Sequence, residues 1–367
     1  MKSSCLFGTT LTSVLFAVAV AACGDNGTPQ TRPDARDIDA APADAAKPTF
    51  SRMVTFGDSL SDVGTYKVGT VATLNGGKYT VNAATPTIWV EQLSAQMGLP
   101  TPCAAQTGLD GDVMRGFKVA VVNHPGCTNY AQGGSRITNP VGPGNKALGG
   151  ANAVLGQLTV PVVTQLQSHL ATAGGSFGAT DLVTVLAGGN EVIIHAGLVG
   201  AQMETPAAAA TALGIAGGEL ATLIKLQVLS KGAKYVVVVN MPNVSVSPFA
   251  AAPGPLHDLV LSLSAAFNMQ LSAGLAGADV LLIDAFASSG MQVANPATFG
   301  ISNAIVPACD LAPAKNPLGS SLVCSAGNVI TGDISKYLFA DSVHPTPFGH
   351  SLLAKQVSDA MKAKGWL

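Results

Sequence analysis

The sequence predicts an α/β fold, a three-layer α/β/α sandwich built around a mainly parallel sheet of five strands. Two observations carry this. Short runs continuous in Val, Ile and Leu, rather than alternating with polar residues, suit strands buried on both faces of a parallel sheet. Longer segments with helical periodicity separate them, which places helices on both faces of one sheet.

Taken in order, RMVTF (52–56), FKVAVVN (117–123), DLVTVLAG (181–188), KYVVVVNMP (234–242) and DVLLIDA (279–285) read as strands. TIWVEQLSAQMG (87–98), LTVPVVTQLQSHLATAG (158–174), the apolar stretch 206–232, LHDLVLSLSAAFNMQLSAGLAG (256–277) and FGHSLLAKQVSDAMKAKGW (348–366) read as helices. Several end in Gly, a common helix terminator. Three irregular stretches remain, 69–86, 98–116 and 288–333. The last is too long for a simple connection and leaves the carboxyl end of a strand, the edge where open α/β sheets bind ligands. It is expected to cover a site there.

Residues ahead of the domain read as export and tethering signals. Lys2 and the apolar run LFGTTLTSVLFAVAVAA suit a signal peptide over 1–22, and VAAC (20–23) resembles a bacterial lipobox, making Cys23 the expected lipidated N-terminus. A simple secretory peptide or an uncleaved anchor is the competing reading. Several acyl chains on one residue hold a protein stably to a membrane, so the expected location is extracytoplasmic and lipid-anchored, or secreted. Residues 23–47, rich in Asp, Ala and Pro, form a flexible tether spanning about 25–30 Å. One domain then fills 48–367 and is expected to be a monomer.

Only 11% of the 367 residues are charged and the net charge is −2, with no Lys/Arg runs. That leaves no electrostatic footprint for nucleic acid. Beyond Cys5 and Cys23, four cysteines remain, and an even number in an exported chain points to disulfides. Four allow three connectivities; sequence neighbours, Cys103 with Cys127 and Cys309 with Cys324, are the expected pairs, each worth about 3 kcal/mol in the chain-entropy model. No C-x-x-C and no His at ligand spacing supports a metal site instead.

Chemistry concentrates at strand ends. In MVTFGDSLSDVG (53–64) a strand runs into Ser59, whose hydroxyl needs a base to become nucleophilic. FADSVHPTPFG (339–349) offers Asp341 and His344 three residues apart, a spacing that lets the carboxylate orient one imidazole nitrogen while the other faces the serine. By themselves these two would serve equally as a helix cap and a surface histidine. NYAQGGSRI (129–137) offers backbone N–H groups at Gly133 and Gly134, and LAGGNEV (186–192) the amide of Asn190; a tight turn and a helix cap are the plain alternatives. The segment GGSFG (174–178) matches the elbow of another hydrolase class, but a helix precedes it and a strand follows, the reverse of what an elbow needs, so Ser176 reads as a loop residue. His124, His169, His195, His257 and His350 lack an acid three residues upstream and read as structural or surface residues.

Together GDSL, NYAQGG, GGNE and DSVHP, in this order, resemble the SGNH or GDSL hydrolase family over the chain from Met53 to the last helix. The resemblance implies a flavodoxin-like SGNH fold. It also implies an acyl-transferring serine esterase or lipase with Ser59 as nucleophile, Asp341 and His344 completing the triad, and Ser59, Gly133 and Asn190 forming the oxyanion hole. Gly134 is the second choice to Gly133, and Asp58 is a turn residue rather than the triad acid. TIWVEQL, with Trp89, is similar to a segment of lipase-like members and tilts the expected substrate toward acyl esters. A carbohydrate O-acetylesterase, or a non-catalytic binding lipoprotein on the same fold, are the alternatives. No cofactor is implied.

Overall fold

The computed structural model describes Lys47–Leu367, which form one compact unit. The leader, Cys23 and all but the last residue of the tether lie outside the described residues. In chain order the elements are β1 (Arg52–Gly57), α1 (Gly69–Thr73), α2 (Trp89–Gln96), β2 (Gln106–Asp110), β3 (Lys118–Asn123), α3 (Gly150–Leu155), α4 (Val162–Thr172), β4 (Asp181–Leu186), α5 (Gly189–Gly200) and α6 (Pro206–Leu223). Then follow β5 (Tyr235–Val239), α7 (Pro255–Gly274), β6 (Leu281–Ile283), α8 (Ala285–Ala294) and α9 (Pro347–Ala363).

Strands β1, β4, β5 and β6 form a parallel sheet in the order β1-β4-β5-β6. All six residues of β4 are buried, as continuous apolar runs require. Side chains alternate between two cores. Val54, Phe56, Val183, Val185, Val236 and Val238 face Val162, Leu166, Leu213, Leu220, Phe267 and Leu271 of α4, α6 and α7. Met53, Leu182, Leu186, Val237, Val239 and Ile283 face Trp89, Val90 and Leu93 of α2 and Ala354, Val357 and Met361 of α9. These are the three expected layers.

The strand count differs from the expectation of five. FKVAVVN supplies β3, which pairs antiparallel with β2 in a separate ribbon and is mostly exposed. β-branched residues favour extended backbone whether or not both faces are covered, so its composition resembles that of a core strand. The position flanking β1 is taken instead by residues 128–132, which run parallel to it: Thr55 N–H donates to Thr128 O at 3.0 Å and Tyr130 N–H to Thr55 O at 2.8 Å. The stretch 288–333 is also less irregular than expected, since its first residues belong to α8.

Both neighbouring-cysteine pairs are bonded, Cys103–Cys127 and Cys309–Cys324. The first closes the base of the β2–β3 ribbon.

Candidate active site

The parallel strands all end at one edge, and the segments leaving them carry the polar residues singled out above. β1 ends in Gly57 and the chain turns at once, with Ser61 N–H donating to Asp58 O at 3.0 Å. That turn presents Ser59. The segment entering α9 carries Asp341 and His344, both tied locally: Asp341 Oδ1 accepts the N–H of Val343 at 3.0 Å and of His344 at 2.8 Å.

Ser59 Oγ lies 2.8 Å from His344 Nε2 although the residues are 285 positions apart in sequence. The other imidazole nitrogen, Nδ1, stands 2.9 Å from Asp341 Oδ1 and 2.8 Å from Oδ2. Asp341 is buried; burial by itself would raise its pKa, but His344 and the N–H groups donated to it hold the carboxyl well below the ordinary range. An ionised carboxylate only accepts, so Nδ1 carries the proton and Nε2 is free to accept from the serine hydroxyl. A hydroxyl so placed can lose its proton to the imidazole as it attacks.

Asp58 and Asp62, the other carboxylates of the first turn, build rather than react. Asp58 is buried and its Oδ1 accepts Leu60 N–H at 3.1 Å. Burial pushes its pKa up to about 6, against the lowering influence of the Leu60 N–H and His344. Asp62 Oδ1 accepts the N–H groups of Gly64 at 2.9 Å and Thr65 at 2.8 Å, while Oδ2 accepts that of Gly133 at 2.9 Å. Burial raises this carboxyl as well, opposed by the same N–H groups. Trp89 is fully buried and its Nε1 donates to Ser61 Oγ at 3.0 Å, locking α2 to the serine turn.

The bond to Asp62 bears on the expected donor Gly133, whose N–H is already engaged. Gly133 has a packing reason to be glycine: a Cβ there would stand 2.3 Å from the Tyr79 ring, which in turn lies against His344 with centroids 4.7 Å apart. Gly134 has φ +78°. Among the described residues the N–H groups of Ser59 and Gly134 have no acceptor. Asn190, in the first turn of α5, donates from Nδ2 to Ser135 O at 2.8 Å, leaving one amide hydrogen over. Asp62, Tyr79 and Asn129, whose Nδ2 donates to Ser61 O at 2.9 Å, escaped sequence reasoning. The signal for Asp62 and Asn129 was there, since both sit inside quoted motifs.

Ser59, Asn190 and His344 line one cleft that opens to solvent. Its walls include Leu60, Leu186, Ile193, Met241, Val244 and Phe339. From 288–333 only Ser288, Ser289 and Gln292, all on α8, reach it. The disulfide-bonded part does not roof the cleft, contrary to expectation; it runs beneath Asp341, to which Ser321 N–H donates at 2.8 Å.

Ser176 is exposed in the turn between α4 and β4. His169 and His350 are buried, which lowers their pKa values to about 4 and about 3 and keeps both neutral. His124 contacts Thr107, His195 contacts Glu204, and His257 contacts the Ser245 and Ala250 carbonyls. Among the described residues no group of three or more His, Cys, Asp or Glu side chains is arranged to share a metal ion.

Comparison with known proteins adds the family. The model of the GDSL-like lipase/acylhydrolase family matches residues 53–357. Esterase EstA of Pseudomonas aeruginosa is 35% identical over 144 residues, covering 36% of this chain and 20% of its own length. An uncharacterised protein of Pseudomonas putida, from a trpE-trpG intergenic region, is 28% identical over 348 residues, covering 87% of this chain and 50% of its own. The chain thus spans at most half the length of these relatives. Among solved structures, Axe2, an acetylxylan esterase from Geobacillus stearothermophilus, is 12% identical with a TM-score of 0.40, covering 86% of this chain and 95% of its own. With a family match running from the first strand into the last helix, the chain belongs to the GDSL-like lipase/acylhydrolase family.

Proposed function

We propose that this protein hydrolyses carboxylic esters through an acyl-enzyme. The observation that carries the reading is the continuous contact from Ser59 Oγ through the His344 imidazole to Asp341. Ser59 Oγ attacks the ester carbonyl and its proton passes to His344 Nε2. As the tetrahedral intermediate collapses, the same proton goes to the departing alcohol. Water then repeats the sequence, giving its proton to His344 and releasing the acid. Asp341 stabilises the imidazolium formed in each half. The oxyanion donors are the N–H of Ser59, the Nδ2 of Asn190 and the N–H of Gly134, in preference to Gly133, whose N–H serves Asp62.

Apolar cleft walls support acyl esters as substrates over acetylated glycans, and the name of the EstA relatives, esterase, agrees with ester hydrolysis. The same proposal includes export and lipid anchoring through Cys23, supported by the leader sequence and by two disulfides, which suit an oxidising compartment.

A panel of p-nitrophenyl esters of rising chain length, run beside an acetylated xylan, tests the substrate. Activity rising beyond acetate is expected; preference for the glycan would favour the O-acetylesterase reading. Ser59→Ala should abolish hydrolysis while leaving the fold intact, and Ser176→Ala should act as wild type. The reverse pattern would refute the assignment of the nucleophile.

A further inference from the structure

A buried ion pair joins the two segments that hold the oxyanion donors. Arg136 lies two residues after Gly134, and Glu191 directly follows Asn190. Arg136 Nε donates to Glu191 Oε2 at 2.6 Å and its Nη2 contacts the same oxygen, while Glu191 Oε1 accepts the N–H of Ile137 at 3.0 Å. Both side chains are largely shielded, 11% and 4% exposed. With Asn190 Nδ2 bonded to Ser135 O, two successive residues of α5 grip three successive residues of the glycine loop.

Arg136 is also held from its far side. Its Nη2 lies 3.3 Å from His195 Nε2, and His195 Nδ1 lies 2.7 Å from Glu204 Oε2. A guanidinium has no acceptor, so Nε2 must accept and the His195 proton sits on Nδ1, donating to Glu204. Glu191, Arg136, His195 and Glu204 form one chain that fixes the guanidinium in place.

We propose that Glu191 and Arg136 are positioning residues for the ester hydrolysis described above, setting the spacing between the Asn190 amide and the Gly134 N–H. Neither touches the reacting atoms. The inference rests on the proposed function. A buried ion pair contributes little net stability, because desolvating both charges offsets their attraction, but two guanidinium donors on one carboxylate oxygen, with the other oxygen on the Ile137 N–H, fix orientation. Oxyanion donors, in turn, act only when held within a few tenths of an ångström of their productive place.

Glu191→Gln keeps the shape and an acceptor for Ile137, and Arg136→Lys keeps the charge but loses the fork. Each should lower kcat by roughly 10- to 100-fold with KM within about twofold, by analogy with loss of part of one oxyanion donor. Affinity for an alkyl boronic acid, whose serine adduct is tetrahedral, should fall by a similar factor. Rates are normalised to the serine titrated by a fluorophosphonate, so unfolded protein does not count. Glu204→Gln, remote from the donors, should fold and show a smaller kcat loss of the same kind. Unchanged kcat and boronate affinity in folded Arg136→Lys, or losses residing in KM, would overturn the inference. Retained activity in Ser59→Ala would overturn the proposed function instead.

Discussion

The backbone N–H of Ser321 and Oδ2 of Asp341 are 2.8 Å apart, and that bond connects a disulfide-closed segment to the carboxylate behind His344. Cys324 is three residues from Ser321, and both cysteines are buried beside Ala340. Replacing the pair by Cys309→Ser and Cys324→Ser should therefore loosen the support of Asp341. The expected outcome is a lower melting temperature, with kcat reduced by similar factors on p-nitrophenyl acetate and on a long-chain ester. A loss confined to the long-chain ester would mean that the segment reaches the substrate after all.

Removing the Asn190 amide tests the oxyanion assignment. Asn190→Ala should lower kcat by roughly 10²–10³ while leaving KM nearly unchanged, since the donor matters as charge develops on the oxygen. A pure KM effect would make Asn190 a ground-state binding residue.

Asp58 gives a pH signature in stability. Its folded pKa, about 6, lies above the ordinary 3.8, so between these values the folded state binds more protons than the unfolded one. Stability contributed by this group is therefore present below pH 4 and declines as pH rises to 6, by at most roughly 1.4 kcal/mol per pH unit. Asp58→Asn, which keeps an acceptor for Leu60, should not share that decline. Denaturant titrations of both proteins from pH 4 to 7.5 should show their stability difference moving in favour of the variant up to pH 6 and then levelling. A difference independent of pH would contradict the assignment.

Lipid attachment is tested separately from catalysis. Wild-type protein expressed in a bacterial host should take up labelled palmitate and sediment with membranes. Cys23→Ser should lose the label and retain its esterase activity. A soluble, unlabelled wild type would remove the anchoring proposal.

The layered architecture was legible because β1, β4 and β5 lie between two apolar layers and their sequences hide no polar face. β3 misled for the same reason: its valines obey strand preference, and only the partner strand reveals that they lie on an exposed ribbon. α8 was hidden by its serines and glycine, weak helix formers that nonetheless form a helix lining the cleft. At the site, Ser59, Asp341 and His344 were readable from short motifs and do meet. The choice between Gly133 and Gly134 was not readable, because adjacent glycines differ only in what their N–H groups face, and the Gly133 N–H faces Asp62, seventy-one residues earlier.

The 285-residue separation of Ser59 and His344 also has a temporal meaning. During synthesis the hydroxyl emerges 285 residues before its proton acceptor, which lies just ahead of the helix that completes the second core layer. Contacts this distant in sequence form late in folding, because the loop they close must be ordered first. An unfinished or truncated chain would carry the nucleophile without its base. Hydrolysis under the proposed mechanism therefore requires a chain made at least as far as His344 and closed on Ser59, so nascent chains that stop short of it are inert toward esters.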